Sequence, residues 1–492
     1  MKTLLVIPQS RLPVETRVQP PLGIAYIGAV SQRRGDQVRL IDQNVDDTPL
    51  AEVAGWPEIV GITANTSQVK GAWRAARELR EAGGTGLVVL GGVHPSVLPQ
   101  ESLDAAPVDV VVRGEGEETW AQLSELVGSE LRRATDEPEP QAGGRQSLIA
   151  RLQRALPEVL GISYKTADGR IVHNPDRSPI EDLNALPWPA YSLFKLDRYT
   201  SLQPTLDGAG KGVRSFSIMT SRGCPYRCHY CSQSVFKYRW RGRSPEGVVA
   251  EWRHLVKELG ATEIGVLDDS FNIDRKRVLA LCQMLAAEGL NRVPWIMING
   301  IRANLADEAT LGAMKAAGCK RTAFGVESGN QVILNGIDKK LGLDQVRAAF
   351  KAARRVKMET IGFFMIGLPG DTEETIEETI RLACDLDPVV ANFSMTTPFP
   401  GTVLYERVKE AEREGRGRLL IADWDNFIFL EGRARYEMDG LTAELQERKW
   451  KEAYRRFYLR PHRVLQTVLR KNTWLELPRT VRMAFRMIWQ TK

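Results

Sequence analysis

Short apolar runs alternate with amphipathic stretches through the first 130 residues. The runs Thr3–Ile7, Val38–Asp42, Glu58–Thr63, Leu87–Leu90 and Val108–Val112 have the length of strands. Between them, apolar positions recurring every three to four residues predict helices over Leu22–Arg33, Gln68–Glu81 and Glu117–Leu126. Strands apolar on both faces and alternating with helices imply a doubly wound parallel sheet. Ligands of such sheets sit beyond the carboxyl ends of the strands. The turns Pro8–Pro21, Thr63–Ser67, Gly91–Ser96 and Arg113–Glu117 are therefore the candidate ligand edge.

Residues 131–212 break this rhythm and are expected to connect two domains. Asp136–Gly144 is acidic and rich in proline, as exposed linkers are. Ile162–Tyr164 and Ile171–Val172, around Asp168-Gly169, predict a hairpin. The alternation returns at residue 213. Strands are predicted at Ser215–Thr220, Glu263–Leu267, Trp295–Ile298, Thr322–Val326, Thr360–Ile366 and Val389–Met395. Helices are predicted at Pro245–Leu259, Arg275–Glu288, Asp307–Ala317, Leu343–Lys357 and Glu373–Asp385. Six strand–helix units over 213–415 predict a partial parallel barrel with its chemistry on the carboxyl rim. Residues 416–492 are expected to be a basic helical region.

Length and composition fit this division. A chain of 492 residues, 43% hydrophobic and 26% charged, is that of a multidomain globular protein. No apolar run has the length of a membrane span, and Met1–Pro8 reads as a first strand and not a signal peptide. A cytoplasmic protein is expected. The net charge of +6 is unevenly spread. From Glu447 to Lys492 thirteen Lys/Arg face three Glu, so the rest of the chain is net acidic. In this tail Trp450, Tyr454, Phe457, Tyr458, Trp474, Phe485 and Trp489 interleave with cations. Packing against the barrel is the favoured fate of such a stripe; peripheral contact with anionic lipid is the alternative. No nucleic-acid partner is expected.

Three of the six cysteines fall within eight residues, in Thr220-Ser-Arg-Gly-Cys224-Pro-Tyr-Arg-Cys228-His-Tyr-Cys231, directly after the first barrel strand. Three thiolates on one loop can hold three irons of a cubane and leave the fourth iron to a small chelating molecule. A zinc site is the alternative, but zinc takes four ligands and no second cysteine pair follows. His229 lies inside the tight loop, poorly placed to complete a tetrahedron. This C-x3-C-x-aromatic-C arrangement resembles the radical SAM superfamily over about 200 residues of the chain. The resemblance implies a [4Fe-4S] cluster on Cys224, Cys228 and Cys231. It also implies S-adenosylmethionine (SAM) on the open iron, cleaved reductively to a 5′-deoxyadenosyl radical, and an external flavodoxin- or ferredoxin-type electron donor. It places Asp268 and Asp269 by the methionine amino group, Arg302 by its carboxylate, and Glu327 and Ser328 by the ribose. Tyr230 and Gly367, within the run GFFMIGLPG, complete the SAM-binding set.

Gln19-Pro-Pro-Leu-Gly23, Gly91-Gly-Val-His94-Pro-Ser96 and Arg113-Gly-Glu-Gly-Glu117 resemble the Rossmann-like cobalamin-binding module joined to many of these enzymes. The resemblance implies contacts from Thr63, Asn65, Thr66, Gly91, Gly92, His94, Pro95, Gly114, Glu115 and Gly116. The D-x-H-x-x-G motif that supplies a cobalt-ligating histidine elsewhere is absent. His94 is expected to shape its loop or touch the nucleotide tail. The fold class is then α/β: a doubly wound Rossmann-like cobalamin-binding domain over 1–130, a (β/α)6 radical SAM barrel and a helical extension. The implied activity is methylation of an unactivated carbon of a small-molecule or lipid-like substrate, through the 5′-deoxyadenosyl radical and methylcobalamin. The alternatives are oxidative cyclisation or rearrangement with the same cofactors, and a non-catalytic Fe–S or corrinoid carrier. A methylthiotransferase would need further cysteines upstream, and residues 1–223 have none.

Overall fold

In the computed structural model the strands and helices follow the alternation of apolar runs. It describes residues 1–10, 19–136, 148, 150–199, 214–421, 423–427 and 432–469. The linker expected at Asp136–Gly144 lies almost wholly outside the described residues, as do Trp474, Phe485 and Trp489. The chain divides into two units. The first holds Met1–Tyr199 together with Ser232–Arg241 and Ala422–Phe427; the second holds Thr200–Cys231, Gly242–Ile421 and Ile428–Lys492.

The first unit is built on β1 (Lys2–Ile7), β2 (Gln37–Asp42), β3 (Ile59–Thr63), β4 (Leu87–Gly91) and β5 (Val110–Val112). A hairpin, β6 (Ile162–Lys165) and β7 (Ile171–His173), completes the sheet, in the order β2-β1-β3-β4-β5-β6-β7. The first five strands are parallel, whereas β6 pairs antiparallel with β5, Val112 opposite Ile162. The hairpin read from the connector is thus part of this sheet and not a separate linker element. Side chains alternate between two buried faces, as a period of two demands. Leu4, Val6, Val60, Ile62, Val88 and Leu90 meet α2 (Val69–Glu81). Leu5, Ile7, Ile59, Leu87 and Val89 meet α1 (Leu22–Arg33) and α5 (Glu117–Asp136). Gly61 makes room for the Trp120 ring, which would lie 3.0 Å from a Cβ there. Between β4 and β5 run two short helices absent from the sequence reading, α3 (Val93–Val97) and α4 (Pro99–Ala105).

The second unit is a six-stranded parallel sheet. Its order is β8 (Ser215–Ile218), β9 (Glu263–Val266), β10 (Trp295–Met297), β11 (Cys319–Glu327), β12 (Glu359–Ile366) and β13 (Val390–Met395). Among the described residues β8 and β13 do not pair, so the barrel is open. Crossovers are α6 (Pro245–Lys257), α7 (Arg275–Ala287), α8 (Glu308–Ala316), α10 (Leu343–Arg355) and α11 (Glu373–Leu386). A short helix, α9 (Gln331–Gly336), precedes α10. α12 (Val403–Arg413) and a two-stranded ribbon, β14 (Gly417–Leu419) with β15 (Tyr436–Met438), follow the sheet.

The described part of the basic tail packs inward. α13 (Ala443–Tyr458) lays its aromatic stripe on β13. Phe457 and Tyr454 meet Phe393 edge-on, with centroids 6.3 and 5.4 Å away. Trp450 Nε1 donates to the Phe393 carbonyl at 2.7 Å, and the Tyr458 hydroxyl to that of Ala391 at 2.9 Å. The last described helix, α14 (Pro461–Leu469), is fastened through Arg463, which donates to Asp387 Oδ1 at 2.6 Å. Among the described residues no helix is long and apolar enough to cross a membrane. Phe457 is fully buried, so Phe457→Ala should cost about 3–5 kcal/mol. Leu465→Ala, at a position 58% exposed, should cost less than about 0.5 kcal/mol. Urea unfolding of the two variants, followed by far-ultraviolet circular dichroism, measures the difference.

Candidate cluster and cofactor sites

The cysteine loop leaves the carboxyl end of β8. Gly223 lies at φ 82°, a left-handed conformation that turns the chain toward Cys224 without the strain a side chain would bring. Asp268, at the end of β9, holds the base of the loop. It accepts hydrogen bonds from the Thr220 N–H at 2.6 Å, the Thr220 hydroxyl at 2.6 Å and the Ser221 hydroxyl at 2.5 Å. Its side chain is fully buried. Burial pushes the carboxyl up, while the charge of Arg277 and these bonds oppose the shift. Asp268 therefore anchors the loop and does not face the rim. Its neighbour Asp269 does reach solvent. It accepts the Gly223 N–H at 3.1 Å, and the protein walling it in pushes its carboxyl up to about 6.

Within the loop, the Cys231 N–H donates to the Cys228 carbonyl at 3.0 Å. The backbone of His229 is clamped from both sides. Its N–H donates to the Ile337 carbonyl at 3.0 Å, and its carbonyl accepts from Leu404 at 2.8 Å. Cys228 is buried, and Cys224 and Cys231 are half-buried. Burial pushes the Cys228 thiol up, and the positive charges of Lys339 and Arg302 pull it back. Among the described residues no three His, Cys, Asp or Glu side chains converge on a point that one ion could occupy. Three thiols on one loop suit the irons of a cluster. Burial, then the charge of Arg407, holds the His229 imidazole below its ordinary range.

Beside the loop three polar groups meet. Glu327 ends β11 after a register shift and takes a left-handed φ of 67°. Its Oε1 accepts from Lys339 Nζ at 2.6 Å, and Lys339 also donates to the Tyr230 hydroxyl at 3.0 Å. A Cβ at Gly325 would lie 2.6 Å from that carboxylate oxygen, so glycine there keeps the pocket open. Burial, followed by the negative charge of Glu327, keeps the Tyr230 hydroxyl protonated. Lys339 escaped the sequence reading because Asp338-Lys-Lys340 looks like a solvated turn. Left-handed backbone at Asp338 and Lys340, φ 55° and 51°, folds it back under β11.

Two other residues expected to contact SAM are already engaged. Arg302 donates to the carbonyls of Lys339 at 3.0 Å and Lys340 at 2.8 Å. Its guanidinium also stacks 3.6 Å from the Tyr226 ring. It thereby ties the Lys339 turn to the cysteine loop. Ser328 is buried, with its hydroxyl 3.3 Å from that of Thr379 and accepting from the Asn330 N–H at 3.1 Å. Gly367, at φ 85°, is held from both sides. Its carbonyl accepts the Tyr436 hydroxyl at 2.7 Å, and its N–H donates to Asp371 at 3.2 Å. Burial pushes the Asp371 carboxyl up to about 6.

In the first unit the expected cobalamin residues gather at the carboxyl ends of β3, β4 and β5. Thr63 closes β3. Asn65 is exposed and accepts the Ser67 hydroxyl at 2.9 Å, while Thr66 is buried. Gly92 lies at φ 114°, where a Cβ would stand 2.5 Å from the Ala64 carbonyl oxygen. At Gly91 and Gly114 a Cβ would make ordinary contacts, at 3.9 and 3.7 Å. Ser96 joins the two glycine motifs: its hydroxyl donates to the Gly92 carbonyl at 2.7 Å and accepts the Gly114 N–H at 3.0 Å. Glu115 turns into the protein, accepting from Arg241 at 2.7 Å and the Ile180 N–H at 2.9 Å. Gly116 packs near Ile27, 3.3 Å from a notional Cβ.

His94 and Pro95 are both buried. His94 Nε2 lies 3.2 Å from Glu101 Oε2, and its ring meets Trp424 edge-on at 5.1 Å and Trp73 at 6.3 Å. Trp424 Nε1 donates to the other Glu101 oxygen at 2.7 Å. Nδ1 of His94 is buried and has no partner. Trp424 comes from a distant stretch of chain with no period of its own, so the sequence carried no signal for it. Glycines clustered at the strand ends and an orphaned imidazole nitrogen fit a polar ligand such as a corrinoid.

Comparison with known proteins finds both domains. Residues 218–383 match the Radical SAM superfamily and residues 16–124 the B12 binding domain. An uncharacterized methyltransferase of Pyrococcus horikoshii is 32% identical over 100% of this chain and 99% of its own length. The anaerobic magnesium-protoporphyrin IX monomethyl ester cyclase of Rubrivivax gelatinosus is 28% identical, over 89% of this chain and 74% of that protein. In fold, the chain is similar to the radical S-adenosylmethionine methyltransferase TsrM from Kitasatospora setae, whose structure holds cobalamin and a [4Fe-4S] cluster. The TM-score is 0.68 at 19% identity, covering 94% of this chain and 89% of TsrM. The chain belongs to the radical SAM enzymes that carry a B12-binding domain.

Proposed function

We propose that this enzyme is a cobalamin-dependent radical SAM methyltransferase that methylates an unactivated carbon of a small organic molecule. The observation that carries the reading is the three-cysteine loop with Asp269 and the Lys339–Glu327 pair on its rim. When bound, the cluster and SAM supply a 5′-deoxyadenosyl radical, and the corrinoid supplies the methyl group. Cys224, Cys228 and Cys231 would hold the cluster, and SAM would bind beside them. Asp269 would accept from the SAM amino group, Lys339 would donate to its carboxylate, and Glu327 would accept from the ribose. Tyr230 stays neutral, so it donates a hydrogen bond and does not repel the thiolates. Gly91 and Gly114 let the corrinoid approach the backbone, and Gly92 lets its turn pack on Ala64. The electron comes from a small one-electron carrier protein.

A second reading keeps both cofactors and ends in ring closure without methyl transfer; the likeness to a cyclase over 89% of the chain favours it. The two separate by product. Methylation yields S-adenosylhomocysteine and a product heavier by one methylene, whereas cyclisation yields neither. Mass spectrometry of anaerobic turnovers reads both.

Three outcomes test the residue roles. The SAM amino group donates more strongly to an ionised Asp269, so SAM affinity of cluster-loaded enzyme should rise as pH climbs through about 6 and level off above it. Asp269→Asn should bind SAM about tenfold more weakly above that pH and lose the step. Equilibrium dialysis on either side of that pH measures both. Lys339→Met should leave Glu327 unpaired and weaken SAM binding by about tenfold or more while iron content holds. Gly92→Ala places a methyl group 2.5 Å from the Ala64 carbonyl at φ 114°. Strain of about 1–3 kcal/mol should cut cobalamin affinity about tenfold or more. Corrin absorbance per chain, with iron per chain as control, reads that loss.

A further inference from the structure

The cofactor sites leave one large feature of the sequence unused, the basic tail. From Ala453 to Lys492 ten Lys/Arg face a single Glu. Three of the ten hold the tail to the barrel. Arg456 pairs with Glu377 on α11, and Arg460 and Arg463 pair with Asp387, the residue that caps that helix. Arg463 is buried, so it marks the inner side of α14.

The outer side is bare. Leu459 is 57% exposed, Val464 45% and Leu465 58%. Eight large hydrophobic residues are exposed among those described, and three of the eight fall within these seven positions. At about 100° of turn per residue, Val464 and Leu465 lie round the outer side of α14 from Arg463. The sequence repeats the pair one helical turn later, as Val468-Leu469. Arg455, one turn before Leu459, is exposed as well. Between Ala453 and Leu469 there is no acid. The acids in ion pairs with this stretch, Asp387, Glu377 and Glu452, already hold its own cations.

Charge decides what such a side can meet. Residues 470–492 carry six Lys/Arg and one Glu. Folding them over α14, or joining two copies through this face, sets cations against cations. An anionic surface has no such cost, and apolar side chains set among cations are the composition of segments that lie in a bilayer interface. A nucleic acid would match the charge but leave the leucines and the valine in water. We propose that the outer side carrying Leu459, Val464, Leu465 and Arg455 docks the protein on the surface of an anionic lipid bilayer. The apolar side chains enter the acyl boundary, and the cations of the tail stand among the headgroup phosphates. The docking side lies outside both cofactor sites, so its test is separate from that of the reaction proposed above.

Vesicle flotation tests this. Full-length enzyme, loaded with cluster and cobalamin, is mixed with vesicles of phosphatidylcholine alone or of phosphatidylcholine with phosphatidylglycerol. The parent should float with the anionic vesicles, lose that binding at high salt and ignore the neutral ones. Val464→Gln together with Leu465→Gln keeps the charge and should cut the floated fraction about tenfold. Arg455→Gln should weaken flotation and flatten its salt dependence. Val332→Gln, at an exposed valine on α9, should change nothing. Iron and cobalt per chain should match the parent in every variant. No flotation of the parent, or equal flotation of the doubly substituted protein, would overturn the proposal. So would a clear loss of stability in that protein by urea unfolding, which would assign the face to residues 470–492 folded over it. A parent dimer that the two substitutions dissolve would assign it to a second copy. A gel shift of duplex DNA without vesicle binding would assign the charge to a nucleic acid, and the lipid surface would be rejected.

Discussion

A single buried carboxylate fixes where the cluster loop can go. Asp268 sits out of water at the end of β9 and receives three hydrogen bonds from Thr220 and Ser221, just after β8. Burying a carboxylate is expensive unless every lone pair finds a donor and a counter-charge stands near. Three donors reach the Asp268 carboxylate, and a counter-charge stands beside it. Arg277 supplies the charge and binds the same segment, donating to the Thr220 carbonyl at 2.5 Å and the Arg243 carbonyl at 2.7 Å. Arg243 in turn pairs with buried Glu251. These charges tie the base of the loop to the barrel, while Arg277 Nη1, Arg243 Nε and Glu251 Oε1 keep no hydrogen-bond partner. Three thiolates can meet one cluster only if the chain entering Cys224 is already oriented. The network supplies that orientation, and Gly223 supplies the turn.

The two adjacent aspartates divide the labour of one sequence motif. Asp268 and Asp269 are chemically identical and consecutive, so the sequence could place both at the SAM amino group and rank neither. A strand end separates them: successive side chains point to opposite faces. One falls inward among Thr220, Ser221 and Arg277, and the other outward onto the rim. Only the geometry of β9 decides which.

That pattern describes how much was legible. Parallel sheets bury both faces, so their strands read as plain apolar runs, and the five parallel strands of the first sheet and the six of the second lie where such runs predict them. α1 matches to the residue because its amphipathic stripe is continuous and ends before Arg34-Gly35. What escaped is built from short or distant pieces. α3, α4 and α9 have at most seven residues, two turns or fewer, too few for a helical period to emerge. Lys339 reaches Glu327 through left-handed backbone at two non-glycine residues, which no composition advertises. Trp424 completes the His94 box from more than 300 positions away. Local pattern reveals elements. It does not reveal which loops tertiary structure will bring together.

The Lys339–Glu327 pair shows why the rim should be read as a binding site and not only as a structural tie. An ion pair fully enclosed and saturated adds little beyond what apolar packing would give. Here the donors are not saturated: Lys339 gives two of its three protons, to Glu327 and Tyr230, and one remains. Glu327 is held at φ 67°, a conformation that costs a non-glycine residue of order 1 kcal/mol. A fold has no reason to keep strained backbone and a partly satisfied buried ammonium beside Cys228 for stability alone. A ligand bearing both a carboxylate and hydroxyl groups, seated at the open corner of a three-cysteine cluster, would satisfy the ammonium and the carboxylate together.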